Sequence, residues 1–357
     1  MQKFNCKTCG AELYWDADAG ALKCEYCEST FHPSDFEDET LTDIPVEKLE
    51  EETVDPTYTN SADNLTEDMV VYECSHCGAE VITSKTTMAT TCAYCGRAIS
   101  LTNKSVGEFR PDKVLAFKIN RDKATEIYNK YTKSSPLIPK LFKEEQTIKK
   151  MQGLYVPFFL HSADLNAHGT VNAENVMSSR RGDDKVEHHS LYRIDLDIDG
   201  KFDKIPTDAS KKIDNKLMDS LEPFDFDSLN LFNPAYMAGY FAEQPDEKVE
   251  DTTPRATSRM EEAMRNKMNE TAGNYSIKTV SSFQKRFVGQ KSEYAMLPVW
   301  LLNVEYDNQM YTFAINGDTG KAVGKLPISK GKLIGLALGS FVGTQALFIL
   351  INALTML

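Results

Sequence analysis

The chain has 357 residues, of which 41% are hydrophobic, and its formal net charge is −13. This length leaves room for two or three folded units with a sizeable core. The acidic balance argues against tight, non-specific nucleic-acid binding, because Lys and Arg side chains carry phosphate binding. The sequence also lacks G-x-x-x-x-G-K-[ST], G-x-S-x-G and H-E-x-x-H, so the common NTPase and hydrolase motifs are absent.

The eight cysteines form two units with one spacing, C-x2-C-x14-C-x2-C. Two residues between cysteines let one tight turn present both sulfurs to the same ion, and two such turns complete a closed tetrahedral site. The spacing therefore predicts two four-thiolate centres that hold Zn²⁺, two ions per chain. The predicted ligands are Cys6, Cys9, Cys24 and Cys27 in the first unit and Cys74, Cys77, Cys92 and Cys95 in the second.

Cysteine pairs of this kind have three other uses in proteins. Disulfides need an oxidising compartment, and no leader-like segment precedes Cys6. A thioredoxin-like pair needs one C-x-x-C beside a βαβ pattern rather than four in two matched sets. An iron–sulfur or rubredoxin-like centre uses the same four thiolates, and this alternative stays open.

Local patterns around the cysteines predict zinc ribbons. Gly10, Gly78 and Gly96 each follow the second cysteine of a turn, where the backbone often needs positive φ. The segment 16–20 ends in glycine between two apolar stretches, which predicts a hairpin turn. In the second unit, 79–83 is the matching strand.

The rest of the chain predicts an α+β fold class: two N-terminal four-cysteine zinc ribbons, a mixed, mainly antiparallel α+β domain and one C-terminal transmembrane helix. Strand patterns recur between helical patterns, among them a helix over 258–271 with Met260, Ala263, Met264 and Met268 as core residues. The polar stretch 173–187 predicts an exposed loop. The predicted units are ribbon 1 (1–33), an acidic linker (34–69), ribbon 2 (70–102), the α+β domain (110–328) and the transmembrane helix (333–357).

Two further features of the central domain bear on function. The segments 155–160 and 296–301 echo each other as apolar strands interrupted by proline, and each proline is expected at an edge, a strand start or a bulge. Four histidines lie in or beside strands without an acidic or cysteine partner at ligand spacing, and we interpret them as ordinary surface or core residues. They are His161, His168, His188 and His189.

The C-terminal segment 333–357 contains no charged residue and follows several lysines. A tract of this length would cover a bilayer core, and the lysine flank would be cytoplasmic. Gly335, Gly339 and Gly343 form a stripe of small residues that favours close helix packing. The segment therefore predicts a single-pass anchor in the cell membrane, contact with lipid, self-association through the span and a cytoplasmic N-terminal bulk.

Together these features resemble a bacterial family of membrane-attached proteins with TFIIB-type zinc ribbons. The resemblance rests on the two cysteine sets, the strand 297–301, the strand and turn at 311–317, and the terminal segment. Members are sometimes labelled as relatives of the replication-restart helicase through its zinc region, but this chain has no Walker A sequence. The resemblance implies association with SPFH-type membrane-scaffold proteins.

We expect a non-enzymatic adaptor that presents its ribbons to protein partners. No nucleophile–base pair or paired carboxylates are visible in the sequence, and no catalytic or cofactor-binding residues are predicted beyond the metal ligands. The first alternative is a nucleic-acid-binding regulator that uses the ribbons, although the two ribbon stretches contain few Lys and Arg. The second is an enzyme of unrecognised type.

Overall fold

The computed structural model describes residues 4–39, 69–73, 80–84, 87–91, 98–100 and 111–355. The strands are β1 (Leu13–Asp16), β2 (Ala21–Cys24), β3 (Thr30–Phe31), β4 (Met69–Glu73), β5 (Glu80–Ser84), β6 (Thr87–Thr91), β7 (Ala98–Ser100), β8 (Lys113–Val114), β9 (Gln152–Arg181), β10 (Asp184–Asp208), β11 (Asn230–Leu231), β12 (Phe241–Glu243), β13 (Ile277–Tyr306), β14 (Gln309–Asn316) and β15 (Ala322–Gly324). The α-helices are α1 (Arg121–Lys133), α2 (Glu145–Ile148), α3 (Asn215–Ser220), α4 (Val249–Thr271) and α5 (Lys330–Thr355), and 3₁₀ turns cover Pro33–Glu39, Lys140–Lys143, Phe226–Ser228 and Pro234–Met237.

Three very long antiparallel strands dominate the fold. Strands β9 and β13 have 30 residues each and β10 has 25, and β9 lies between the other two. The predicted α+β class is therefore wrong, because the described chain is mostly strand in a curled antiparallel sheet. The predicted loop 173–187 is also wrong, since it forms the far end of the β9–β10 hairpin. Cross-strand hydrogen bonds hold the polar residues there in extended conformation. Because these residues are polar, the sequence shows no apolar alternation that would predict a strand.

Helix α4 covers one face of this long-stranded sheet. Its side chains Met260, Met264 and Met268 are buried against small and apolar side chains of β9, as predicted, whereas Ala263 is exposed. Between Ala163 and His168 the opposite face of β9 carries polar side chains and the strand alternates buried and exposed residues, whereas residues 155–163 are buried on both faces. The helix begins at Val249, nine residues before its predicted start at 258, and it contains Pro254 as its sixth residue, where the ring removes one backbone donor from the helix.

The two echoing apolar segments, 155–160 and 296–301, pair with each other. Tyr155 lies opposite Pro298, and Pro157 lies opposite Met296. Both prolines therefore lie inside long strands, not at a strand start. The carbonyl of Pro157 accepts from Ala209, just after β10 ends, and that of Pro298 accepts from Gly317, just after β14 ends. In an antiparallel strand, the N–H and C=O of one residue point to the same neighbouring strand. Each proline therefore lacks its N–H on the side where the neighbouring strand, β10 or β14, has just ended.

The first ribbon packs directly on this β body. The indole N–H of Trp15 donates to the carbonyl of Phe117 at 3.1 Å, and its backbone N–H donates to Ala238. The side-chain amide of Asn233 in turn donates to the carbonyl of Pro33 at 3.1 Å. Buried residues of the ribbon and of the body form one hydrophobic cluster. The ribbon is thus a fixed part of the core.

Helix α5 begins at Lys330. Among the residues that the structure describes, no helix is both long enough and apolar enough to cross a membrane. This finding overturns the predicted transmembrane helix over 333–357 and the cell-membrane location. The prediction counted missing charges, whereas glycine, serine, threonine and glutamine interrupt the apolar residues between Gly335 and Gln345.

Candidate metal centre

The hairpin that carries the first cysteine set forms where the sequence predicts it. Strands β1 and β2 pair from Leu13 opposite Cys24 to Asp16 opposite Ala21. The carboxylate of Asp16 accepts from the N–H groups of Asp18 and Ala19, and Gly20 closes the turn with φ of 60°. Hydrogen bonds within the hairpin therefore hold its turn without a metal ligand. The ends of the hairpin place the two cysteine turns side by side.

The structure brings the four sulfurs of the first set together. The Sγ atoms of Cys6 and Cys27 lie 3.4 Å apart, those of Cys9 and Cys24 lie 3.6 Å apart, and all four lie within 4.8 Å of one another. A tetrahedron of sulfurs at about 2.3 Å from zinc has edges of about 3.8 Å. A disulfide would need about 2.05 Å, and all four cysteines are free. The donor set therefore fits one tetrahedral metal ion.

The two cysteine turns differ in the residue that takes the left-handed conformation. Gly10 has φ of 76°, as predicted, after the second cysteine of the first turn. Glu28 has φ of 58° at the corresponding position of the second turn, where a side chain is strained. Cys6 and Cys24 are buried, while Cys9 lies at the surface. The centre is thus anchored on its inner side and reaches solvent on the other.

Hydrogen bonds to the sulfurs shift the pKa values of the Cys6, Cys9 and Cys27 thiols in different directions. The hydroxyl and the N–H of Ser29 lower the pKa of the Cys27 thiol to about 6. Burial raises the pKa of Cys6, but N–H groups in its turn outweigh this and lower it overall. The N–H of Ala11 lowers the pKa of Cys9, yet hydrogen bonding among the thiols and burial raise it to about 12. All four sulfurs become thiolates together only when a cation compensates their charge.

The second predicted set, with its glycines Gly78 and Gly96, lies outside the described residues. The ligands concerned are Cys74, Cys77, Cys92 and Cys95. Strand β5 confirms the predicted strand at 79–83, and β6 joins the large sheet through β12. Within the described part of the chain, Cys6, Cys9, Cys24 and Cys27 are the single group that could hold a metal ion.

The histidines divide into two kinds. His168 and His189 are exposed and pair with the carboxylates of Asp197 and Glu174 on neighbouring strands, which fits ordinary surface residues. His161 is only 4% exposed and lies among hydroxyl groups from three different elements. Sequence reasoning missed this cluster, because its members are up to 131 positions apart. No spacing in the sequence signals it.

The fold and the four-sulfur site define a mainly antiparallel β protein with a four-cysteine ribbon, able to hold a metal ion, built into its core. Over 349 residues, 96% of each chain, it is 31% identical to the uncharacterized protein YdjG of Bacillus subtilis (strain 168). The chain belongs to the family of that protein. No family model matches the chain, and no solved structure matches it.

Proposed function

We propose that the first cysteine set holds a structural Zn²⁺ ion and that the second set holds another. The support is the donor set: four thiolates within reach of one ion suit zinc and leave no open position for a substrate. Iron is the alternative metal, because rubredoxin-like centres share these ligands. A closed site of this kind stabilises the fold of the ribbon around it.

We further propose that this ribbon is a docking element for a protein partner, which makes the chain an adaptor. The observation that carries this role is Tyr26, which lies between the two ligands of the second cysteine turn and is 88% exposed. Its backbone is held by the metal ligands Cys24 and Cys27 on either side. Tyrosine on a rigid support is a frequent anchor of protein interfaces, since little entropy is lost when it is covered.

The charges of the ribbon favour a protein over a nucleic acid. Lys7 donates to the carbonyl of Asp35 and lies over the ring of Phe36 at 4.8 Å. The ammonium group of Lys23 lies 3.8 Å from the carboxylate of Asp16. Both lysines beside the four sulfurs thus have partners within the chain, and a phosphate group would have to displace those partners in order to bind.

A photo-crosslinking experiment tests the docking role. Tyr26 is replaced by p-benzoylphenylalanine in the full chain, and Tyr192, an exposed aromatic on β10, is replaced in a matched control. We expect a discrete protein adduct from position 26 alone. The purified partner should bind the unmodified chain at least tenfold more tightly than the Tyr26→Ala variant, a difference of about 1.4 kcal/mol.

Two outcomes contradict the docking role: equal adducts from both positions, or equal affinity of the partner for both chains. Binding of DNA or RNA that weakens steeply with salt and is lost in Lys7→Ala would instead support the nucleic-acid alternative.

A further inference from the structure

A cleft lies between the start of α4 and the sheet. Its volume is about 470 Å³, within the usual range of small-molecule sites. Its wall includes His161, Val249, Glu250, Thr253, Lys291 and Ser292. The cleft sits beside an irregularity in β13, where the pairing with β9 shifts between Val288 and Lys291. Apolar and polar groups therefore converge on one concave surface.

The hydrogen bonds around His161 determine which ring nitrogen carries its proton. Its Nε2 lies 2.9 Å from the hydroxyl of Thr207 and 3.2 Å from that of Thr252. Each hydroxyl already donates its own hydrogen to a backbone carbonyl, that of Phe159 or that of Val249. With their hydrogens on these carbonyls, at 3.3 Å and 3.1 Å, the two hydroxyls face the ring as acceptors, and we assign the ring tautomer on this basis. Nε2 therefore carries the hydrogen, and Nδ1 has a free lone pair.

Ser292 completes the arrangement. Its hydroxyl oxygen lies 2.8 Å from Nδ1 of His161, so the hydroxyl donates to that nitrogen. The two residues are directly opposite each other on β13 and β9. His161 is buried, while Ser292 is exposed to the cleft. A reachable hydroxyl that donates to an oriented, neutral imidazole has the geometry of an activated nucleophile and its general base.

We propose that Ser292 and His161 form a nucleophile–base pair for acyl transfer from small carboxylic esters bound in this cleft. This activity is separate from the metal centre and goes beyond the proposed adaptor role. The Oγ atom of Ser292 forms a bond to the ester carbonyl carbon while its proton moves to Nδ1 of His161. The C–O bond to the leaving alcohol then breaks, and the alcohol takes that proton. Water hydrolyses the acyl–serine by the reverse proton path.

Two features of the cleft suit the negative charge that develops on the carbonyl oxygen. Helix α4 begins at this wall, and the first N–H groups of a helix have no partner within the helix. Lys291 also lines the cleft and brings a positive charge. Both would stabilise an oxyanion, which is usually the largest contribution to acyl-transfer catalysis.

A fluorophosphonate probe tests the pair on the full chain, because its phosphorus is attacked by an activated serine with loss of fluoride. We expect one adduct, mapped by peptide mass spectrometry to Ser292. Labelling should vanish in Ser292→Ala and slow roughly 100-fold in His161→Gln. Ser281→Ala is the matched control, since Ser281 is exposed on the same strand and bonds only to the carbonyl of Thr170. It should label like the unmodified chain.

A second readout does not require a variant at the buried histidine. Burial, aided by the charge of Arg255, lowers the pKa of His161 to about 4. Glu250 on α4 and Lys291 on β13 line the same cleft, and Asp208 on β10 is the ion-pair partner of Arg255. The labelling rate should therefore stay level through mildly acidic pH and fall only near pH 4. The absence of an adduct at Ser292 in folded protein, or a Ser292→Ala variant that hydrolyses p-nitrophenyl acetate as fast as the unmodified chain, would overturn the proposal.

Discussion

Replacing Trp15 by phenylalanine tests whether the four-cysteine ribbon is part of the core of the β body. Trp15 is 6% exposed, donates to the carbonyl of Phe117, and has its ring 4.9 Å from that of Tyr236. Phenylalanine keeps an aromatic ring but removes the N–H donor. The substitution therefore weakens the contact between ribbon and body without touching a cysteine.

The expected cost follows from two losses. The buried carbonyl of Phe117 loses the Trp15 donor, which costs about 1–3 kcal/mol. The smaller ring leaves unfilled space between the ribbon and the body, which costs about 1 kcal/mol more. We expect Trp15→Phe to lower the free energy of unfolding by about 2–4 kcal/mol when the ribbon is folded around its metal.

Trp300→Phe provides a matched control. The Trp300 indole donates to the carbonyl of Ile119 at 2.8 Å, in the same segment that Trp15 contacts, but Trp300 lies on β13. Urea unfolding followed by circular dichroism is measured for both variants and the unmodified chain, with metal and with a chelator. Trp15→Phe should be destabilising with metal and nearly neutral with the chelator, because the ribbon then unfolds. Trp300→Phe should cost a similar amount in both conditions.

The substitution and the removal of metal form a thermodynamic cycle, and the difference between the two costs measures the coupling between Trp15 and the metal. Equal destabilisation by Trp15→Phe with and without metal would contradict the claim that the ribbon packs on the β body only when it holds its metal. Such a result would mean that the ribbon folds and packs on the β body without its metal.

Three further predictions concern single positions. Gly169→Ala should destabilise by about 1–3 kcal/mol, since the new Cβ would lie 2.4 Å from the carbonyl oxygen of Ser282; Gly331→Ala, which meets open space, is the control in the same thermal melts. Glu28→Gly should stabilise the metal-bound chain by about 0.5–1 kcal/mol by relieving its positive φ, and a lower melting temperature would contradict this. His161 has a folded-state pKa of about 4, below its unfolded value, so the unfolded chain takes up the proton first as pH falls. Stability should decline between about pH 6.5 and pH 4, and less so in His161→Gln; parallel curves for the two chains would contradict it.

The ribbon was predictable because its determinants are local. Two residues between cysteines define a turn, and the Asp16–Gly20 segment defines a hairpin, whatever the rest of the chain does. The left-handed conformation of Gly10 follows from the same local rule. That of Glu28 does not, because no sequence rule assigns positive φ to glutamate.

The long strands were only partly predictable, because their lengths are set by partners distant in sequence. Sequence alternation within β10 and β13 indicates short strands, but their continuity comes from pairing with β9. Segments 141–151 and 209–221 have helical periodicity in the sequence, yet only the short helices α2 and α3 form within them, since packing overrides local propensity. The His161 cluster was beyond reach for the same reason: β9, β10, α4 and β13 each supply one member.

The central claim is that Cys6, Cys9, Cys24 and Cys27 hold one Zn²⁺ ion, and elemental analysis of the purified full chain tests it most directly. Zinc content is measured for the unmodified chain and for Cys9→Ser, whose changed ligand lies at the surface. We expect two zinc ions in the unmodified chain, one for each cysteine set, and the loss of one in Cys9→Ser. Iron in place of zinc, or an unchanged zinc content in Cys9→Ser, would contradict it.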